Sequence, residues 1–222
     1  MPILKYAFCL IASFLFVTLA SEKVFAAPSS TASPSNSPAE SVGPDANNPV
    51  VKFVQELGNQ ALTSLTAKNL PPSERSQRVR TLLLQYFDIQ TIGRFVLGPY
   101  WSQATDSQRQ EYFKLFENMI VRTYTHRFEE YSGQSFVVKG IASGGEQDSM
   151  VSSVINQPDG PPVHVDWRVR NENGTYKIVD VLVENVSMSI TQRADFASII
   201  QNGGGKVDAL LTALENQTAQ IK

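Results

Sequence analysis

One stretch of the chain decides the fold: VHVDWRVRNENGTYKIVDVLVENV, from Val163 to Val186. Its first eight residues alternate apolar and polar side chains, which is the period of a strand with one buried face. The pair Asn173-Gly174 then supplies a two-residue hairpin turn, because both residues accept the left-handed backbone that such turns require. Residues 176–186 return as a second, more apolar strand. The stretch therefore predicts an antiparallel β-hairpin.

The alternation also divides the first strand into two faces. We expect the apolar face, made of Val165, Trp167 and Val169, to lie against helices. We expect His164 and Asp166, on the other face, to point to solvent. A histidine and an aspartate on one face could act as an acid–base pair, but a pair that faces solvent is more simply read as polar surface.

Helical patterns stand on both sides of the strands. The longest helix is predicted to run from the capping box Thr105–Gln108 to about Tyr131, with apolar side chains over a wide arc. Further strands are predicted at 136–142 and 150–157, and two helices joined by three glycines follow the hairpin. Helices, then an antiparallel meander, then helices predict an α+β fold in which helices pack on one face of a curved sheet.

Three segments are expected along the chain. Residues 1–26 have the layout of a cleaved secretory signal, with one lysine, an uncharged apolar run of about 15 residues and the small-residue site Val24-Phe25-Ala26. The apolar run is shorter than the ~20 residues needed to span a bilayer. Residues 27–49, rich in serine and proline, are expected to be a disordered spacer, and residues 50–222 the folded domain. A chain that loses Cys9 with its signal fits the bacterial periplasm.

Composition excludes several functions. The 222-residue chain has a net charge of −2, which argues against binding to nucleic acid, since that needs a basic face, and against electrostatic adhesion to anionic membranes, since that takes a polybasic cluster. One cysteine excludes a disulfide scaffold, and two histidines leave little material for a metal centre. The chain contains no nucleotide-binding glycine loop, no nucleophile elbow and no His-x-x-x-His pair. We expect no cofactor and no metal.

A surplus of aromatic and aliphatic side chains remains between Phe95 and Phe128. Composition cannot separate a filled core from a cavity, and a filled core is the commoner arrangement. Arg193, near the start of a late helix, could meet an acid or a phosphate, and a structural salt bridge is the favoured interpretation.

Three motifs stand in order along the folded part of the chain. They are Phe87-Asp88 with Phe95-Val96-Leu97-Gly98-Pro99-Tyr100-Trp101; Tyr124 with Tyr131, Gly133 and Gln134; and Asp180 to Ser187 with Arg193 and Phe196. Together they resemble the toluene-tolerance/MlaC family of periplasmic phospholipid-binding proteins. Asn185 replaces the family's usual glycine, a mild change because asparagine tolerates left-handed backbone. The closing glycines and leucines are similar to the hopanoid-associated HpnM branch.

The resemblance implies an NTF2-like fold: a curved antiparallel sheet with helices packed over its concave face and acyl chains held between them. It implies a monomeric periplasmic carrier that shuttles phospholipid, or a hopanoid-type lipid, between the inner and outer membranes. The implied partners are an inner-membrane ABC transporter complex of the MCE type and an outer-membrane lipoprotein complex. No catalytic residues come with the resemblance. The side chains expected to line the cavity are Phe95, Trp101, Phe116, Ile120, Tyr124, Val165, Trp167 and Val169.

Two other functions stay open at this point. NTF2-like folds also host isomerases and dehydratases, for which His164 and Asp166 would be the acid–base pair. The chain could also be an assembly subunit that binds proteins and no lipid. A cavity-facing His164–Asp166 pair would favour the enzyme, and a solvent-facing pair would favour the carrier.

Overall fold

The computed structural model describes residues 47–220, apart from Lys68 and Glu146. The predicted signal peptide and nearly all of the predicted spacer lie outside the described residues. The helices are α1 Pro49–Leu65, α2 Pro72–Tyr86, α3 Ile89–Leu97, α4 Tyr100–Gln103, α5 Asp106–Glu129, α6 Met188–Asn202 and α7 Val207–Gln220. The strands are β1 Ser135–Gly144, β2 Asp148–Asn156, β3 Val163–Glu172, β4 Thr175–Val183 and β5 Val186–Ser187.

The strands form one antiparallel sheet in the order β1-β2-β3-β4-β5. The predicted hairpin is confirmed as β3 and β4, with φ of 54° at Asn173 and 87° at Gly174 in its turn. The pairing register shifts after Val138 and Ile141 in β1 and after Arg168 in β3. Such bulges bend a strand and increase its twist, so they curve the sheet. The predicted α+β fold with a curved antiparallel sheet is confirmed.

The two faces of β3 differ as the alternation predicts. Val165 and Val169 are buried, and Trp167 is half-buried on the same face. His164 on the opposite face is exposed, and Asp166 is half-buried there. The apolar face of the hairpin is therefore the one that the helices cover.

The helices divide into two groups by what they pack on. α1, α2, α3 and α6 pack on strands, whereas the main packing partners of α5 are the helices α2, α3 and α7. α5 begins at the predicted capping box, in which Gln108 N donates to Thr105 Oγ1 at 3.2 Å and Thr105 N donates to Gln108 Oε1 at 2.9 Å. The longest helix is thus not a main cover of the sheet.

The sheet fixes the C-terminal end of α2. Lys177 of β4 donates from Nζ to the carbonyl oxygens of Leu84 and Gln85, at 2.9 and 2.7 Å. The backbone N–H of Asp88 donates to the carbonyl of Ile178 at 3.0 Å. A cation at a helix C-terminus pairs carbonyls that have no partner within the helix. These contacts hold the junction of α2 and α3 against β4.

The strand predicted over residues 176–186 is divided in two. β4 ends before Glu184 and Asn185, which have φ of 49° and 65°, as a type I′ turn requires. The buried carboxylate of Asp180 in β4 stabilises the return of the chain after this turn, because its Oδ2 accepts a hydrogen bond from Ser187 Oγ at 2.7 Å. The hydrophobic pattern misses this turn because apolar side chains continue on both sides of it.

Helix α1 packs directly on the sheet at Gly58. A Cβ at this position would lie 2.2 Å from Cδ1 of Phe136 in β1, so a larger residue does not fit without movement. The Phe136 ring in turn meets the Trp167 ring edge to face, with centroids 6.0 Å apart. Gly58 therefore sets how closely α1 approaches the face that carries Trp167.

We predict that Gly58→Ala destabilises the fold by about 1–3 kcal/mol, the usual cost of overpacking. Helix propensity predicts the opposite sign, because alanine in a helix interior is more stable than glycine by about 1 kcal/mol. The free energy of unfolding from chemical denaturation should decide between these two signs. Gly144→Ala is the control, since a Cβ there meets nothing within 4 Å. The double variant Gly58→Ala with Phe136→Leu should lose less free energy of unfolding than the sum of the losses of the two single variants. A stabilised Gly58→Ala variant would contradict the close packing.

Candidate functional site

One face of α5 carries an apolar row with a side chain at every fourth residue: Phe116, Ile120, Tyr124 and Phe128. We name this row the α5 stripe. Its members follow one another by about 6 Å along the helix axis. Accessibility rises from Phe116 to Tyr124, because Phe116 is 2% exposed, Ile120 is half-buried and Tyr124 is 45% exposed. The α5 stripe therefore begins in the core and reaches accessible surface.

The first member of the α5 stripe belongs to the core. The Phe116 ring stacks on Tyr112 with centroids 5.5 Å apart, and meets Phe196 of α6 edge on at 6.1 Å. Gly93 of α3 permits this packing, because a Cβ there would lie 3.3 Å from Phe116 Cδ1 and 2.7 Å from Phe113 Cε1. The Tyr112 hydroxyl also donates to the Gly93 carbonyl at 2.9 Å. Helix α3 thus closes this end of the stripe.

The other end of the α5 stripe is open. Although Tyr124 is accessible, the surrounding protein raises the pKa of its phenol by desolvation, an effect that the nearby Arg127 guanidinium partly opposes. Phe128 follows one turn later and is half-buried against the core. The open end of the stripe is therefore a partly accessible apolar surface.

The sheet contributes a second apolar surface. Val165 and Val169 are packed in the core, whereas Trp167 between them is partly accessible. Trp167 Nε1 donates to Ser153 Oγ at 2.9 Å, and the Ser153 hydroxyl donates to the Val165 carbonyl at 2.9 Å. Because the indole and the hydroxyl are paired with each other, neither is left as an unsatisfied polar group on this face. The face around Trp167 therefore suits contact with hydrocarbon.

The structure places Phe95 and Trp101 with arginines and not in the α5 stripe. Arg193 Cζ lies 5.1 Å from the centroid of the Phe95 ring, and Arg94 and Arg109 lie 5.7 and 4.9 Å from that of Trp101. The salt bridge predicted for Arg193 is wrong, because its guanidinium makes no ion pair within the described part of the chain and stacks on an aromatic ring instead.

His164 and Asp166 are not arranged as a buried acid–base pair. Both lie on the face of β3 opposite Trp167, and His164 is exposed. The backbone N–H of His164 donates to Glu184 Oε1 at 2.7 Å, which joins β3 to the turn after β4. Among the described residues, no group of three or more His, Cys, Asp or Glu side chains could hold a metal ion. The arrangement does not favour the enzyme alternative.

A family model described as the MlaC protein matches residues 55–216, from the first turns of α1 into α7. The chain belongs to the MlaC family. The resemblance carried by the three motifs is thereby confirmed, and the MlaC match spans both the α5 stripe and the sheet.

Two curated relatives and one solved structure add to the MlaC match. The intermembrane phospholipid transport system binding protein MlaC of Haemophilus influenzae is 28% identical over 176 residues, which are 76% of this chain and 81% of that protein. The toluene tolerance protein ttg2D of Pseudomonas putida is 22% identical over 123 residues, 55% of this chain and 57% of that protein. A phospholipid-binding protein from Ralstonia solanacearum, solved in complex with a phospholipid, has a TM-score of 0.66 and 26% identity, covering 77% of this chain and 97% of its own.

Among the described residues of this MlaC-family chain, no helix is both long enough and apolar enough to cross a membrane.

Proposed function

We propose that this MlaC-family chain is a periplasmic lipid carrier that holds phospholipid acyl chains in an apolar recess. The observation that carries the proposal is the α5 stripe, which runs from the buried ring of Phe116 in the core to the accessible ring of Tyr124. The free energy of an apolar surface exposed to water falls when another apolar group covers it. The phospholipid bound to the R. solanacearum protein supports an acyl chain as that group.

Acyl chains need a surface that is dry and free of buried charge. Each methylene removed from water contributes ~0.8 kcal/mol. A carrier must therefore be nearly as apolar as the bilayer, or the lipid will not leave the membrane. The open end of the α5 stripe and the internally paired Trp167 face have this character. The polar headgroup would then stay at the mouth of the recess.

The residues expected to line the site fall into three groups by their accessibility and their neighbours. Those proposed to touch the acyl chains are Ile120, Tyr124 and Trp167. Those that would support the wall from behind are Phe116, Val165 and Val169. Phe95 and Trp101, which stack with arginines, are the weakest candidates for contact with the chains.

A carrier of this kind must exchange lipid at both membranes. We propose an inner-membrane ABC transporter complex of the MCE type and an outer-membrane lipoprotein complex as its partners, and a monomer as its working form. The support is the name of the H. influenzae relative, which assigns that protein to an intermembrane phospholipid transport system. Catalysis has no part in this function, and the polar face with His164 supports that view.

Native mass spectrometry of protein purified from the periplasm without detergent tests the proposal. We expect a population whose mass exceeds that of the polypeptide by one phospholipid, and fragmentation should identify the headgroup. A hopanoid mass in its place would support the hopanoid-associated branch. Protein that never carries a lipid of either class would contradict the carrier function.

We also propose that residues 1–26 are a cleaved signal peptide and residues 27–49 a spacer before the lipid-binding domain at 50–222. Small residues at Val24 and Ala26 support cleavage after Ala26. The intact mass of the periplasmic protein should correspond to a polypeptide that begins at Ala27. A full-length chain retained in the cytoplasm or in the membrane would overturn this prediction.

A further inference from the structure

The outer strand β1 changes the direction of its side chains at a bulge. Phe136 and Val138 lie on the face of the sheet that carries Trp167. Strict alternation beyond Val138 would turn Ile141 to the opposite face. The register shift after Val138 inserts one residue, and Ile141 then pairs with Val151, which in turn pairs with Trp167. Residues paired directly across antiparallel strands share one face of a sheet, so Ile141 lies on the Trp167 face.

These pairs form one row across the sheet. Trp167 also pairs with Val181 of β4, so the row is Ile141, Val151, Trp167 and Val181. We name it the Ile141 row. Val151 is fully buried, Trp167 and Val181 are half-buried, and Ile141 is 40% exposed. The row is therefore accessible at its β1 end.

The helices leave this end of the row open. The main helix packed on β1 is α1, and it approaches the strand at Phe136, where Gly58 permits the contact. Ile141 follows Phe136 by five residues, which is roughly 15 Å along a strand. The apolar side chain of Ile141 thus lies on the face that the helices cover but beyond the helix that covers its strand.

The surroundings of the Ile141 row on this face are free of charge. The next row across the sheet consists of Val138, Ser153, Val165 and Val183. The hydroxyl of Ser153 is already paired, because it accepts from the Trp167 indole and donates to the Val165 carbonyl. The opposite face of β3, in contrast, carries Asp166 and Arg168. The uncharged face suits hydrocarbon and offers no ion pair to a protein partner.

We propose that Ile141 is a contact residue for the acyl chains and that the wall of the lipid site extends along the Ile141 row to the outer strand β1. The inference rests on the proposed carrier function, and it adds a residue that strand alternation assigns to the wrong face. Ile141 belongs to the same row as Trp167, which is already proposed to touch the acyl chains. Covering its exposed side chain with a methylene chain removes apolar surface from water.

A matched pair of variants on β1 tests the proposal. Val137 is 39% exposed, almost as much as Ile141, but it pairs with Val154 on the opposite face of the sheet. We expect Ile141→Asp, purified from the periplasm without detergent, to retain several-fold less phospholipid than the wild type, because its carboxylate would face hydrocarbon. Val137→Asp should retain the full amount. The two variants should have similar melting temperatures, since both positions are on the same strand and equally accessible. The measurement is lipid phosphorus per protein.

A fluorescence measurement tests the contact without adding a charge. A fluorophore attached to the thiol of Ile141→Cys should be quenched by phospholipid that carries a nitroxide on an acyl chain, and the same fluorophore on Val137→Cys should not. Labelled wild type gives the background from Cys9. Equal lipid retention by the two aspartate variants, or equal quenching at the two labels, would overturn the contact at Ile141 and leave the carrier function intact. A wild type that retains no lipid would overturn both.

Discussion

Protein carrying Ile120→Asp should copurify with less than about a tenth of the phospholipid that the wild type retains. Ile120 is half-buried in the α5 stripe, between the closed end at Phe116 and the open end at Tyr124. A carboxylate at this position would face acyl chains, and an ionised group against hydrocarbon costs several kcal/mol, of which ~1.4 kcal/mol already lowers binding tenfold. In the empty recess water can reach the carboxylate, so the fold should survive with a loss of about 2 kcal/mol or less.

The measurement is lipid phosphorus per protein, together with the melting temperature. Gln110→Asp is the control, because it adds one negative charge at an exposed position of the same helix; it should retain the full amount of lipid. If Ile120→Asp unfolds and the wild type never holds lipid, the stripe is an ordinary core and the chain is an interaction domain.

Phe116→Ala should destabilise the domain by about 3–5 kcal/mol, the usual cost of emptying a buried aromatic site. For a chain of this length the melting temperature should fall by roughly 6–20 °C. The reason is that Phe116 is almost fully buried between Tyr112 and Phe196, where no lipid replaces the lost ring. Phe95→Ala removes the same side chain from an exposed position and should cost much less. A small loss at Phe116 would instead make it part of an open cavity.

Local patterns were sufficient to predict the hairpin and its faces. The period of two in β3 and the turn at Asn173-Gly174 depend only on residues close in sequence, and the structure has both. The same holds for the capping box that starts α5. A turn that interrupts a continuous apolar run, as Glu184 and Asn185 do, leaves no such periodic signal.

The candidate site was predictable only as a helix face. Helical spacing places Phe116 and Tyr124 in one row, but it does not reveal that α3 closes one end and leaves the other open. That difference depends on Gly93, which lies outside α5 and fits against it only in the folded chain. The position of Arg193 was missed for the same reason, because its ring partner Phe95 lies about a hundred residues earlier.

The bulges of β1 also interrupt the exposed edge of the sheet. β1 is the outer strand of the sheet, and the backbone groups on the free side of such a strand can pair with another chain. The register slips at Lys139 and Ala142 interrupt this side twice within one strand, and Lys139 is exposed at the first of them. A strand from a second molecule therefore cannot align along the whole edge. The features that curve the sheet thus also protect the protein against aggregation edge to edge.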